Sequence, residues 1–206
     1  MSGPPLDYSY LDIKIWADLP GEEPMKSPIP KIPAKHVDKD LEKMPEEAKK
    51  ALLGPQKKIR RVTSSLKLNN NLFFNWDGFN EAIGAVLKDP QEVTWLDLSF
   101  NQFETIGEEI ASYTKLSSLY LHGNHIEDLK EIKKLTPLTS LKSLTLHGCP
   151  IEEVKNYRSS VIGLLPWLRQ LDFSPVTKQE QSIAKQVLAT AERRKAAAAA
   201  RREAVV

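Results

Sequence analysis

Three segments in the middle of the chain share one eight-residue pattern. The pattern is Leu, any residue, Leu, two further residues, Asn or Cys, one further residue, and usually an apolar side chain. The three copies are Leu96–Phe103, Leu119–Ile126 and Leu144–Ile151, and they begin 23 and 25 residues apart. A repeat of about 20–29 residues cannot bury its apolar face alone, so neighbouring copies must stack into a solenoid.

The motif and its period are those of a leucine-rich repeat. The two leucines of each copy point to the same side, because side chains in a strand alternate between faces. Strands of successive repeats then pair in parallel about 4.8 Å apart, and their leucines form one apolar column. We therefore predict an α/β leucine-rich repeat solenoid with a parallel sheet on its concave side.

A polar position inside each copy has a structural explanation. After each strand the chain turns away from the sheet and leaves buried backbone groups without partners. We expect Asn101 and Asn124 to bond to those groups in adjacent turns. Cys149 occupies the same position, so we interpret it as structural.

Weaker copies flank the clear three and bring the predicted total to about five. Leu66–Phe73 matches the pattern 30 residues before Leu96, and Leu168–Phe173 is a shortened fifth copy. In the longer gap, apolar residues at three-and-four spacing predict an amphipathic helix. They are Phe79, Ala82, Ile83, Val86 and Leu87. Another set, Leu129, Ile132, Leu135 and Leu138, is expected to pack on the convex side.

These observations divide the chain into three parts. Residues 62–176 form the predicted repeat domain, and its C-terminal cap occupies about 150–176. Residues 1–61 are predicted to be an extended, Pro-rich tail, since nine of the 14 prolines lie between Pro4 and Pro55. Residues 177–206 are predicted to be a basic, Ala-rich helix.

Several short signals lie within the tail. Leu11–Trp16 alternates apolar and charged residues, so it is either a strand added to an edge of the sheet or of a partner, or part of an unstructured tail. Leu41–Leu53 is a candidate short helix. Lys57–Arg61 is strongly basic, but no aromatic residues are interleaved with it. A solvated edge of the solenoid, or contact with an acidic protein surface such as tubulin, is therefore favoured over nucleic acid.

The C-terminal segment has its own helix signals. Thr177 and Glu180 have the spacing of a capping box. Ile183, Val187 and Ala191 follow on one face, and alanine favours a helix that needs little packing. We interpret the segment as a projecting basic helix that docks on a larger structure; a solubilising extension is the alternative.

The side chains between the leucines define the candidate binding face. The residues predicted to contact a protein partner are Lys67, Trp95, Asp97, Tyr120, His122, Thr145, His147 and Asp172. Trp95 and Tyr120 are diagonal neighbours of a type that dominates interface energy. His122 and His147 share a position in adjacent repeats, but a zinc site needs further ligands in tetrahedral geometry. We predict a polar recognition surface and no metal.

The remaining features argue against other classes of protein. No glycine-rich phosphate loop, nucleophile elbow or His-Glu-x-x-His motif is present, so we predict no enzymatic activity, cofactor or small-molecule substrate. The net charge of +2 is close to balance and gives no indication of a polyanionic partner. The single cysteine suits a reducing, cytoplasmic compartment. No apolar run is long enough to cross a membrane, and no secretory signal is evident.

The end of the repeat array resembles a known type of cap. Gly148–Ile151, Asn156–Arg158 and Leu164–Phe173 are similar to the C-terminal cap of many ciliary leucine-rich repeat proteins and of the spliceosomal U2 A′ type. The resemblance implies a short helix from Tyr157 to Leu165 that covers the last edge of the core.

A narrower resemblance includes the N-terminus. Pro4–Tyr10, Glu22–Pro24 and the repeats beginning at Leu66, Leu96 and Leu119 together resemble the leucine-rich-repeat-containing protein fifty-one family of ciliated and flagellated organisms. The resemblance covers the first two dozen residues and most of 62–178, whereas residues 25–61 and those after about 180 depart from it. It implies a non-enzymatic, cytoplasmic role as an axonemal component.

Three hypotheses follow. The first is a structural adaptor of the axoneme, whose concave face grips one microtubule-associated partner while its tails dock on others. The second is a regulatory or targeting subunit of an enzyme such as a phosphatase. The third is a ribonucleoprotein component. The first is preferred because it alone uses the N-terminal resemblance as well as the repeats.

Overall fold

The computed structural model describes residues 3–25 and 60–203. Within them, seven short strands form one sheet whose spatial order is the chain order. The strands are β1 (Leu6–Asp7), β2 (Ser65–Lys67), β3 (Trp95–Asp97), β4 (Ser118–Tyr120), β5 (Ser143–Thr145), β6 (Gln170–Leu171) and β7 (Ser174–Pro175). Strands β1 to β6 pair in parallel, and β7 pairs antiparallel with β6. The predicted α/β leucine-rich repeat solenoid is therefore confirmed.

The register explains why the pattern repeats. Leu66, Leu96, Leu119, Leu144 and Leu171 are paired in successive strands, and each is at most 1% exposed. One leucine per strand thus lines a continuous apolar column behind the sheet.

Helices return the chain between strands. The α-helices are α1 (Phe79–Val86), α2 (Tyr157–Leu164) and α3 (Lys178–Glu203). Short 3-10 helices occupy Trp16–Gly21, Pro90–Glu92, Glu108–Ser112, Leu129–Leu135 and Pro150–Glu153. Phe79, Ala82, Ile83 and Val86 of α1 are buried, which confirms the amphipathic helix predicted in the longer gap.

The predicted ladder of polar side chains is also confirmed. Asn101 is 4% exposed, and its amide donates to the carbonyls of Leu68 and Leu98 in neighbouring turns, each at 3.0 Å. Asn124 bonds in the same way one turn later. The thiol of Cys149 contacts the preceding turn at 3.3 Å, so it occupies the same structural position. Each turn thereby satisfies buried backbone groups of the turn before it.

The N-terminal segment is part of the solenoid, and the prediction of a separate tail over 1–61 is wrong for residues 3–25. Strand β1 pairs with β2, and Asn71 accepts hydrogen bonds from the backbone N–H groups of Leu11 and Ile13 at 3.1 Å. Trp16 is fully buried and stacks on Phe73, with ring centroids 4.0 Å apart.

The N-terminal strand also differs from the sequence signal. It lies at Leu6–Asp7 and not within Leu11–Trp16, because the edge of β2 accepts the segment that continues the repeat register. The segment therefore covers an edge that would otherwise expose unpaired backbone groups. Residues 26–59 are outside the described residues, as are the candidate helix at Leu41–Leu53 and most of the basic cluster at Lys57–Arg61.

The C-terminal end is closed by α2, β7 and the first part of α3. Helix α2 lies where the cap helix was expected. Thr177 and Glu180 form the predicted capping box, with the Glu180 N–H donating to Thr177 Oγ1 at 3.2 Å. Arg158 of α2 donates to Glu180 Oε1 at 2.6 Å, which ties the two helices together.

Helix α3 packs on the domain through a face other than that of Ile183. Ala184 is 1% exposed, whereas Ile183 is 46% exposed. A Cβ atom at Gly163 of α2 would come within 2.8 Å of the Leu188 side chain, so the absent side chain permits close helix contact. The face containing Ala184 and Leu188 therefore packs on α2, and Ile183 remains accessible.

Candidate functional site

The concave face presents most of the residues proposed from sequence. The side chains of Lys67, Trp95, Asp97, Tyr120, His122, His147 and Asp172 lie there and are all partly exposed. Thr145 is different, because it is 0% exposed. Its hydroxyl lies 2.8 Å from Nδ1 of His122. The prediction that Thr145 contacts a partner is therefore wrong for this structure, since its side chain is buried.

Six rings form one continuous surface, which we call the concave aromatic patch. It comprises Trp95, Phe100, Tyr120, His122, His147 and Phe173. Tyr120 connects two of its members, with its ring centroid 5.5 Å from those of both Trp95 and Phe173 in edge-on geometry. Edge-to-face contacts at this distance are favourable and hold the rings in defined orientations. The patch is therefore a preorganised surface.

Two histidines stack on each other within the patch. The rings of His122 and His147 stack 4.6 Å apart and nearly parallel, and Phe173 lies edge-on to His122 at 5.8 Å. Burial lowers the pKa of His122, and the neighbouring His147 lowers it further, whereas Asp97 and Asp172 oppose the shift. The arrangement thus favours the neutral form of His122.

The carboxylates of the face have distinct surroundings. Asp172 Oδ1 accepts from the backbone N–H groups of Leu146 and His147, at 2.6 and 2.9 Å. Its Oδ2 accepts from the Tyr157 hydroxyl at 2.8 Å. Asp172 therefore anchors the cap to β5, which is a structural role that sequence reasoning missed.

Asp97 retains more freedom to meet a partner. Its Oδ1 accepts from the backbone N–H and the hydroxyl of Ser99. Lys67 lies in the adjacent strand, but its ammonium pairs with Asp7 at 3.5 Å. The excess charge on this part of the face is therefore negative.

Phe173 of the patch lies in a turn with left-handed backbone. Asp172 and Phe173 have φ values of 51° and 59° and form a two-residue turn between β6 and β7. A turn with two positive φ values strongly prefers glycine at its second position. Placing a bulky residue there costs about 1–2 kcal/mol. The turn places the Phe173 ring against the rings of the concave face.

Phe100 also has left-handed backbone, at a turn position that recurs after successive strands. Its φ is 52°, and the equivalent positions after β1, β2, β4 and β5 are Tyr10, Asn70, Gly123 and Gly148, all with positive φ. A Cβ atom at Gly123 would come within 2.6 Å of the Phe100 ring. The ring therefore lies over Gly123, whose missing side chain makes room for it.

Sequence reasoning missed Phe100 and Phe173 as surface residues. Each is 52% exposed although it is large and apolar. The available signal was an aromatic residue at a turn position that is Asn or Gly after β2, β4 and β5. Repeat alignment alone could have identified Phe100 in this way.

Other kinds of site find little support in the described parts of the chain. No group of three or more His, Cys, Asp or Glu side chains there could hold a metal ion. Cys149 is buried, and burial raises the pKa of its thiol. None of the described helices is long and apolar enough to cross a membrane.

Comparisons with known proteins agree with the repeat architecture. A family model described as a leucine-rich repeat matches residues 91–202. The leucine-rich repeat-containing protein 51 of Bos taurus is 40% identical over 181 residues, which are 88% of this chain and 83% of that protein. The Homo sapiens protein of the same name is 38% identical over the same shares.

A solved structure shares the fold. It is a chain of the Drosophila melanogaster SNF/U2A′ complex, with a TM-score of 0.52 and 23% sequence identity. The match covers 60% of this chain and 67% of that one. At this identity the likeness concerns the fold alone.

Proposed function

The chain belongs to the leucine-rich repeat-containing protein 51 family, and on that premise we propose that it is a non-enzymatic structural adaptor of the ciliary or flagellar axoneme. Its concave face binds one protein partner, and its C-terminal helix docks on a neighbouring component. The proposed location is the cytoplasmic space of the cilium, next to microtubule-associated proteins.

The concave aromatic patch carries the proposal that the protein is an adaptor. Trp95 and Tyr120 are partly exposed on a rigid sheet, and aromatic residues of this kind contribute most to binding energy at protein interfaces. A sheet that is held in register by a buried leucine column keeps the rings fixed, so little conformational entropy is lost on binding.

The C-terminal helix supports a second attachment. Helix α3 extends over 26 residues, or roughly 39 Å at 1.5 Å per residue, and packs on α2 through Ala184. Arg193 and Arg194 are exposed farther along it. A cationic helix that leaves the domain suits an acidic surface such as that of a microtubule.

The axonemal location is tested by salt extraction of isolated cilia or flagella, with this chain followed by mass spectrometry. Retention with the microtubule fraction after high salt, together with cross-links to axonemal proteins, is the expected result. Recovery in a soluble enzyme complex or in a ribonucleoprotein fraction would replace the proposal with one of the other two hypotheses.

The role of the concave face is tested separately by the double variant Trp95→Ala/Tyr120→Ala. We expect it to fold but to lose the cross-links that the wild type makes through this face. Phe74→Ala is the matched control, because Phe74 is 52% exposed and outside the patch. Loss of the same cross-links in both variants would contradict a specific role for the concave face.

A further inference from the structure

We propose that Phe100 and Phe173 are binding anchors for a cationic, amphipathic segment of the partner protein. The segment lies on the concave aromatic patch with its apolar side against the rings and a Lys or Arg side chain beside Asp97. This inference rests on the proposed function, because it assumes that the concave face binds a protein.

The first argument is that the fold has no need of a phenylalanine at either position. Both rings are half exposed, and both residues have positive φ. At the position equivalent to Phe100, the turns after β4 and β5 have Gly123 and Gly148, which carry no side chain. Residues held in sparsely populated backbone conformations cluster at functional sites.

The second argument is that the rings complete a continuous surface. Phe100 contacts His122 at 5.1 Å, and Phe173 contacts Tyr120, His122 and His147 within 5.8 Å. The two phenylalanines therefore border the patch at the turns that follow β3 and β6, and Trp95 borders it at the start of β3. This shape fits the apolar side of a helix or an extended segment.

The third argument concerns charge and selects a cationic partner. Asp97 and Asp172 both act electrostatically on His122 in the middle of the patch. The nearby Lys67 is engaged with Asp7. The faces of Trp95 and Tyr120 also attract cations. An acidic segment would meet like charge here, whereas a Lys or Arg side chain would meet both a carboxylate and aromatic faces.

The test is a selection from a random 16-residue peptide library displayed on phage, with the full chain immobilised at neutral pH. We expect the enriched peptides to combine apolar residues with Lys or Arg. One enriched peptide, synthesised with a fluorophore, is then the probe for affinity measurements by fluorescence anisotropy.

Variants decide whether the patch is responsible. Phe173→Gly should weaken binding at least tenfold while its unfolding midpoint stays equal or rises, because glycine suits the turn. Phe100→Gly should behave similarly. Asp97→Asn, which keeps the acceptor for Ser99, should weaken binding several-fold and reduce its dependence on salt. Phe74→Ala should bind as the wild type does.

The inference is overturned if no peptide is enriched, if the enriched peptides are acidic, or if they bind Phe173→Gly as well as the wild type. These outcomes are independent of where the protein resides in the cell. A protein absent from cilia that still selects cationic peptides would refute the proposed location and leave the inference standing.

Discussion

Replacing Trp16 with alanine should destabilise the whole solenoid, although Trp16 lies in a segment that sequence assigns to a tail. The indole is 0% exposed, stacks on Phe73 at 4.0 Å and meets Phe79 edge-on at 4.8 Å. Its Nε1 donates to the Asn75 carbonyl at 2.8 Å. Truncating a buried Trp in this way costs about 3–5 kcal/mol, a large part of a typical stability of about 5–15 kcal/mol.

The assay is urea denaturation followed by far-UV circular dichroism, because the substitution itself changes tryptophan fluorescence. The matched control is Ile15→Ala, whose side chain is next in the chain but 46% exposed; we expect it to cost less than about 1 kcal/mol. If Trp16→Ala unfolds at the same urea concentration as Ile15→Ala, the N-terminal segment does not share the cooperative core, and the reasoning fails.

Three further predictions concern the ladder, the C-terminal cap and the histidines. Asn101→Ala should cost about 3 kcal/mol, because one buried N–H and several carbonyls lose their partner; an unfolding midpoint within error of the wild type would contradict this. The pKa of Glu180 falls to about 2, first because Arg158 donates to it, so its contribution is present above pH 4.5 and is lost as pH falls toward 2. The difference in thermal midpoint between wild type and Glu180→Gln should shrink over that range, and a constant difference would refute the assignment. Because burial lowers the pKa of His122 below 6.5, the folded state takes up its proton less readily than the unfolded chain, so the wild type should lose stability relative to His122→Gln as pH falls below about 6.5. Parallel pH profiles of the two proteins would exclude this effect.

The repeat core was predictable because its cause is local and periodic. The spacing of Leu96, Leu119 and Leu144 determines which residues enter the column, and the register of the sheet follows from it. The cap helix at Tyr157–Leu164 was expected through resemblance to related caps. The capping box at Thr177 was predictable because its residues are three apart in sequence.

The candidate site was only partly predictable. Strand alternation identifies Trp95 and Tyr120 as facing residues, since each precedes or follows a buried leucine. It also assigns Thr145 to the same face, but alternation says nothing about what covers a side chain. Phe173 comes from the turn after β6 and folds back over the sheet, which no local pattern indicates.

The solenoid, the buried leucine column and the polar ladder follow from the amino-acid sequence, because each depends on residues that recur at a fixed spacing. Tertiary structure alone decided that residues 3–25 extend the sheet, that α3 packs through Ala184, and that Phe100 and Phe173 complete the concave patch. These features depend on contacts between residues that are far apart in the chain or on turn geometry. The stabilising free energy of these contacts comes from covering a particular edge or face. That edge or face exists only once the repeats have stacked.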